Sequence, residues 1–186
     1  QDNQIEQFFQ AESPAYVGNL ASVEKVVAGH SYFTTSPAAQ LIQKRKELHE
    51  EATKHGVNFW QSEYCILGDN SGEIKGNGVD LGMKTALYVA KVIHADLVYA
   101  QASSWSWWLS VSANDYKDGL IYVMNGGQKG ENDANKYDAG LYDSKTLWAF
   151  GNYARFVRPG MKRFEVQLDR ANTEVSGFRT DGQNVF

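Results

Sequence analysis

The sequence has little of several residue classes, and each scarcity excludes a type of protein. A single cysteine, Cys65, leaves no possibility of a disulfide within the chain. The 18 basic residues do not exceed the 22 acidic ones, and a net charge of −4 lacks the positive excess that phosphate backbones attract. No apolar run approaches the roughly 18 residues of a membrane-spanning helix. We therefore expect no nucleic-acid partner and no membrane span.

The residues in good supply indicate a globular protein rich in aromatic side chains. Hydrophobic residues make up 42% and charged residues 22% of the 186 positions, which is typical of a folded domain and excludes a disordered chain, a collagen or a coiled coil. Aromatic residues reach 13%, with five tryptophans and ten tyrosines, many of them beside polar residues. Because flat rings next to polar groups match the faces and hydroxyls of sugars, this composition favours carbohydrate binding.

Short apolar runs alternate with longer helix-favouring stretches. The pattern predicts strands at 26–32, 57–64 and 102–110, each followed by a helix, at about 37–54, 79–99 and 144–157. We expect Ser36 to cap the first helix, with Pro37 at its first position. Repeated βα units imply parallel strands, either in an open doubly wound sheet or in part of a (β/α)8 barrel.

Two features of the sequence separate these parallel-sheet folds. The glycines at 76, 78 and 82 are the only candidate for a dinucleotide-binding loop, but the third stands one place too late for that motif. Polar and aromatic residues gather at the ends of all three predicted strands, where barrel enzymes keep their chemistry. The barrel is therefore favoured. The stretch 125–140 is expected to be a long loop, and after residue 160 the hydrophobic period changes to two, which predicts an antiparallel layer.

The second predicted strand ends with the run WQSEYC, from Trp60 to Cys65, which places Glu63 at the end of the strand. A glutamate at a barrel mouth, among rings that exclude water, can serve as the nucleophile of a retaining glycosidase. A second carboxyl group about 5 to 5.5 Å away then acts as acid and base. A glutamate that only caps the loop or pairs with a surface lysine fits the spacing equally well.

The other two strands supply further candidates. His30 and Tyr32 share a face by the strand period of two, as hydrogen-bond donors to a sugar or to the carboxylate, or as a core histidine with a neighbouring tyrosine. In the third strand Trp105 and Trp107 share a face and Trp108 opposes them. Indole rings stack on the C–H faces of sugars. We expect Trp105 to contact sugar and Trp108 to pack between strand and helix.

Four segments together resemble glycoside hydrolase family 30. The run from Trp60 to Cys65 resembles the nucleophile motif of the family's seventh barrel strand, and His30-Ser31-Tyr32 resembles the His-x-Tyr of its sixth. The runs 104–108 and 149–160 resemble its eighth strand and the last barrel helix leading into a β-sandwich. The resemblance covers roughly residues 20–168, and within the family the chain is similar to secreted bacterial endo-β-1,6-galactanase-like members.

The resemblance implies a fold and a site. The fold is α/β, the C-terminal portion of a (β/α)8 TIM barrel (strands 6 to 8 with their helices) over 1–160, running into the start of an all-β sandwich over 161–186. Glu63 is implied to be the catalytic nucleophile. The residues expected to bind substrate are His30, Tyr32, Trp60, Tyr64, Trp105 and Trp107. A β-linked glycan is the expected partner, with no cofactor and no metal ion, in a secreted or cell-envelope bacterial location.

One departure from the family pattern concerns the acid/base residue. Family members carry it in an Asn-Glu-Pro motif at the end of strand four, and this sequence contains no Asn-Glu pair. The resemblance therefore implies a missing N-terminal part of the same enzyme, holding strands one to five, and an inactive chain when isolated. The alternative is a noncatalytic carbohydrate-binding protein that keeps the aromatic cleft of such a barrel without its acid.

Overall fold

The structure is a computed structural model that describes residues 3–124, 139–171 and 173–186. Its elements, in chain order, are α1 (Gln4–Phe9), β1 (Val26–His30), α2 (Ala38–Lys54), β2 (Asn58–Glu63), α3 (Met83–Val98), β3 (Ser104–Trp105), β4 (Val111–Ser112), β5 (Ile121–Met124), β6 (Gly140–Asp143), α4 (Lys145–Phe156), β7 (Lys162–Phe164), β8 (Gly177–Thr180) and β9 (Gln183–Val185). Most of the predicted loop 125–140 lies outside the described residues. None of the described helices combines the length and apolar character needed to cross a membrane.

The first three strands form one parallel sheet. Their order is β1-β2-β3, and both neighbouring pairs run parallel. The predicted helices after the first two strands are confirmed, whereas three further strands that were not predicted stand between β3 and α4; the chain is a mixed α/β protein. Strand β3 is much shorter than the predicted 102–110, because the chain leaves the regular ladder after Trp105. Its backbone still follows β2, with the Ser106 N–H bonded to the Gln61 carbonyl and the Trp108 N–H to the Tyr64 carbonyl, both at 2.9 Å.

The beginnings of two helices are capped in different ways. Helix α2 begins one residue later than expected, with Pro37 in extended conformation as its N-cap residue, so the expected cap by Ser36 is wrong. The first helical hydrogen bond runs from the Leu41 N–H to the Pro37 carbonyl. Proline can occupy this position because the bond uses its carbonyl and not the N–H that it lacks. Ser144 does cap α4, accepting a hydrogen bond from the Leu147 N–H.

The sheet is covered by helices on one face and exposed on the other. Val27 and Phe59, which are neighbours in the register, pack against Leu48 of α2. On the opposite face the next pair, Ala28 and Trp60, is exposed. Parallel sheets are normally covered on both faces, so this exposed face is an unusual feature of the described residues.

Helix α3 forms the centre of the largest hydrophobic cluster. Its buried residues pack against the segment that follows β2; the cluster comprises Tyr64, Ile66, Ile74, Tyr88, Val89, Val92 and Ile93. Burial of each large apolar side chain of this kind stabilises the fold by roughly 1.5 to 3 kcal/mol. The cluster therefore holds the carboxyl end of β2 against α3.

Two smaller sheets follow. In the first, β4 pairs parallel with β5 and β5 pairs antiparallel with β6, an arrangement that the hydrophobic pattern did not predict. In the second, β7, β8 and β9 pair antiparallel in chain order, which confirms the antiparallel layer predicted after residue 160. Strand β7 ends at Phe164. The alternation of apolar and polar residues in the sequence extends further, to Leu168, and that part lies outside the strand.

Candidate active site

The carboxyl ends of β1 and β2 bring together three of the predicted site residues. Glu63 ends β2, the central strand of the parallel sheet, and His30 ends β1 beside it. The Tyr32 hydroxyl donates a hydrogen bond of 2.9 Å to Glu63 Oε1. His30 Nδ1 lies 3.7 Å from the same oxygen. The Glu63 side chain is 32% exposed, so it can be reached from solvent.

A break in the register decides which way Glu63 points. Residues of β1 and β2 pair one to one as far as Gly29 with Gln61, and the next pair is His30 with Glu63, so Ser62 is an extra residue. A β-bulge of this kind redirects the side chain that follows it. Since residues paired across parallel strands face the same side, Glu63 lies on the exposed face with His30 rather than on the buried face with Gln61. The Ser62 hydroxyl donates a hydrogen bond of 3.2 Å to the Gly29 carbonyl at the bulge.

Tyr32 and Cys65, two of the ionisable side chains near the carboxylate, stay neutral at ordinary pH. Burial, reinforced by the hydrogen bond to Glu63, raises the pKa of Tyr32, so its hydroxyl remains a donor. Burial also raises the pKa of Cys65 to about 11, which makes the buried thiol a poor nucleophile. Within the described residues Glu63 Oε2 accepts no hydrogen bond, whereas Oε1 is held by Tyr32. The second oxygen is thus the one available for chemistry.

A buried carboxylate supports the site from behind. Asp96 of α3 is fully buried and accepts hydrogen bonds from Ser31 Oγ and Trp105 Nε1, both 2.9 Å long, and from Arg45 Nε at 2.6 Å. Ser31 stands between the two residues that contact Glu63, so this network connects β1, α2, α3 and β3 at one point. Sequence reasoning missed Arg45 and Asp96. The signal that could have found them is a charged residue on the apolar face of a helix. Arg45, for example, follows Leu41 at the helical spacing of four.

The three tryptophans at the end of β3 occupy different environments from those expected. Trp105 and Trp107 do share a face, with stacked rings 6.3 Å apart. Trp105 pairs with Gln61 on the helix-facing side of the sheet and donates to Asp96, and Trp107 donates to the Asp118 carbonyl at 2.9 Å. Both indole N–H groups are therefore used inside the protein.

The burial of Trp105 and Trp108 is the opposite of that expected. Trp105 packs between the strand and α3, whereas Trp108 is 47% exposed beyond the end of β3. The expected substrate contact of Tyr64 is also wrong, because this side chain is only 1% exposed and belongs to the α3 cluster. Following Glu63 directly, Tyr64 points to the buried side. Trp60 is 46% exposed on the open face, about 7 Å along the strand from Glu63, because the bulge makes this segment span only two residues of β1 at 3.3 Å per residue.

One sizeable cavity in the described part of the chain lies away from this site. It measures about 690 Å³ between α3, α4 and the β7 region, and none of His30, Tyr32 and Glu63 lines it. Among residues 3–124, 139–171 and 173–186 no cluster of three histidine, cysteine, aspartate or glutamate side chains is arranged to hold a metal ion. The chemistry available at the site is therefore that of an exposed carboxylate with a phenol and an imidazole beside it.

Comparisons with known proteins relate this chain to one family. The model of O-glycosyl hydrolase family 30 matches residues 1–122, more than half of the chain. A conserved exported protein from Bacteroides fragilis is 31% identical, with a TM-score of 0.79 over 96% of this chain and 38% of that one. A family 30 endoxylanase from Clostridium papyrosolvens is 19% identical, with a TM-score of 0.52 over 86% of this chain and 32% of that one. The chain thus spans about a third of the length of these structures.

The matched segment contains the whole of the arrangement around the carboxylate. His30, Tyr32 and Glu63 all lie within residues 1–122. On the strength of that match over most of its length, this chain belongs to glycoside hydrolase family 30.

Proposed function

We propose that this chain contributes the nucleophile of a retaining glycoside hydrolase that cleaves a β-linked polysaccharide or oligosaccharide, and that Glu63 is that nucleophile. The observation that supports the proposal most strongly is the position of its carboxylate. It ends the central parallel strand, is turned by the bulge to the exposed face, and has one oxygen held by Tyr32 while the other is unoccupied by any described donor.

The proposed reaction is a double displacement. Glu63 Oε2 attacks the anomeric carbon, and the bond from that carbon to the glycosidic oxygen breaks while a carboxylic acid elsewhere in the enzyme protonates the departing oxygen. In the second step water attacks the same carbon, its proton passes to that carboxylate, and the Glu63 carboxylate leaves. Tyr32, a neutral donor at Oε1, stabilises the carboxylate as it departs.

The acid/base residue is proposed to lie in a part of the enzyme that precedes this chain. The chain has no Asn-Glu pair, and in isolation we expect it to be inactive. We propose that β1, β2 and β3 are the last three strands of a (β/α)8 barrel over 1–160, and that β7 to β9 begin a β-sandwich over 161–186. The exposed face at Ala28 and Trp60 supports this, since barrel closure would cover it.

The proposed sugar-binding residues surround the carboxylate on its exposed side. His30 is placed to donate to a sugar hydroxyl next to Glu63, the Tyr32 oxygen is placed to accept from one, and Trp108 offers an exposed ring beyond the neighbouring strand. Trp60, deeper on the same face, is proposed to line the floor of the cleft. Secretion or a cell-envelope location is proposed from the similarity to an exported Bacteroides fragilis protein.

The test is a variant of the complete enzyme. Glu63→Gln keeps the shape of the side chain but removes its nucleophilic oxygen, so turnover of β-linked oligosaccharides should fall by at least about a thousandfold while binding persists. Glu47→Gln, on the exposed surface of α2, is the matched control and should leave turnover unchanged. A fluorinated glycoside that traps the glycosyl-enzyme should add its mass to the peptide containing Glu63.

Two results would contradict the proposal. Unchanged turnover in Glu63→Gln would remove Glu63 from the nucleophile's role. Binding of β-linked glycans by the complete wild-type protein without release of any sugar would instead support the noncatalytic carbohydrate-binding alternative.

A further inference from the structure

Phe33 combines exposure with an unfavourable backbone conformation. It follows Tyr32 directly, is 73% exposed, and has a φ of +60°. Large non-glycine residues seldom adopt the left-handed region, because Cβ crowds the backbone there. An exposed ring buries little apolar surface to offset that cost within the described structure. Strain of this kind is concentrated at functional sites.

The ring of Phe33 stands one side chain away from the proposed nucleophile. Its centroid lies 6.2 Å from that of Tyr32, whose hydroxyl is bonded to Glu63. Gly68, in the loop after β2, lies beside the ring, and a Cβ at that position would sit 3.6 Å from the Phe33 ring. The absence of a side chain there leaves more of the aromatic face open.

We propose that Phe33 is a sugar-stacking subsite that holds a glycosyl unit neighbouring the one attacked by Glu63. This inference rests on the proposed function and adds a substrate preference to it. An aromatic face stacks on the C–H face of a pyranose, and the exposed ring gains burial only when the glycan is bound. Binding energy from a sugar remote from the reacting carbon can then favour the transition state. The subsite therefore selects chains of several sugar units over single glycosides.

The backbone conformation makes the inference testable without loss of the fold. Phe33→Gly and Phe33→Asn remove the ring and place there residues that tolerate positive φ. In the complete enzyme both variants should keep or raise Tm, while kcat/KM for a β-linked oligosaccharide of four or more units falls at least tenfold. For an aryl glycoside with one sugar unit, kcat/KM should change less than twofold. Leu87→Ala removes an exposed apolar side chain of α3 and is the control. It should leave kcat/KM unchanged for both substrates.

Three outcomes would overturn the inference. An equal loss on both substrates, or a lower Tm, would show that Phe33 only supports Tyr32. An unchanged kcat/KM on the oligosaccharide would show that there is no subsite.

Failure of the proposed hydrolysis is distinguished by direct binding. If the wild-type protein binds the oligosaccharide but releases no sugar, hydrolysis fails as the function. The Kd of Phe33→Gly for the same oligosaccharide then decides the subsite, since tenfold weaker binding supports it and unchanged binding overturns it. If the wild-type protein does not bind the oligosaccharide, both proposals are overturned.

Discussion

Tyr32 and Glu63 are joined by a hydrogen bond of 2.9 Å between the phenolic oxygen and Oε1, across the carboxyl ends of two neighbouring parallel strands. The bond depends on the bulge at Ser62, which turns the carboxylate towards β1. Burial of Tyr32, reinforced by this bond, raises the pKa of the phenol, so the donor proton is retained. One oxygen of the carboxylate is thereby oriented and the other is left open.

Removal of that donor gives the first prediction. Tyr32→Phe keeps the ring and its packing against Tyr64 but leaves Oε1 without its partner. In the complete enzyme kcat should fall by about 10²- to 10³-fold, the usual effect of losing one oriented donor to a developing charge. Steady-state kinetics measures it, with Tyr99→Phe, on the far end of α3, as the control. A variant with wild-type kcat would show that the bond has no part in turnover.

The second prediction concerns the buried charge network. Asp96→Ala leaves the Arg45 guanidinium buried without its counterion and removes the acceptor of Ser31 and Trp105. Uncompensated buried charges are costly, so the free energy of unfolding should fall by about 3 to 5 kcal/mol. Urea denaturation of the complete protein measures the change. Glu47→Ala, which breaks the exposed pair with Lys44, should lower the free energy of unfolding far less, and equal effects in the two variants would contradict the prediction.

The third prediction is a pH dependence of stability due to Cys65. Burial raises the pKa of its thiol from 9.0 to about 11 in the folded chain. Between these pH values the unfolded chain has released the proton and the folded chain has not, so the free energy of unfolding falls as the pH rises. The contribution is complete below about pH 9 and lost above about pH 11.

Cys65→Ala isolates this component. Its stability should decline less steeply than that of the wild type over the same pH range, since the buried tyrosines titrate in both proteins. Parallel declines of the two proteins, measured by chemical denaturation at each pH, would count against a raised thiol pKa.

The fourth prediction compares two glycines with opposite expectations. A Cβ at Gly76 would overlap the Tyr116 hydroxyl and the Ile66 backbone carbonyl, so Gly76→Ala should destabilise the protein by about 1 to 3 kcal/mol. A Cβ at Gly151, within α4, would meet nothing within 4 Å. Gly151→Ala should stabilise by about 0.5 to 1 kcal/mol, because alanine favours the helix. Thermal unfolding checks both signs, and a stabilised Gly76→Ala would contradict the described packing.

The sequence by itself determined the succession of strands and helices and the identity of the residues around the carboxylate. Hydrophobic periodicity is a local property, so the alternation of strands with helices and the antiparallel layer after residue 160 could be predicted from neighbours in the chain. The His-x-Tyr and WQSEYC runs were recognisable as family motifs for the same reason, since a motif is a short ordered set of residues.

Only the tertiary structure decided which way these side chains point. Alternation assigns a face only while the register is kept, and strict alternation from buried Gln61 would have turned Glu63 away from His30. Likewise, nothing within the third strand shows that Asp96 of α3 accepts the Trp105 N–H and leaves Trp108 exposed, because that bond joins elements brought together by packing. Contacts between segments distant along the chain arise from the fold as a whole, and their geometry cannot be obtained from any local pattern.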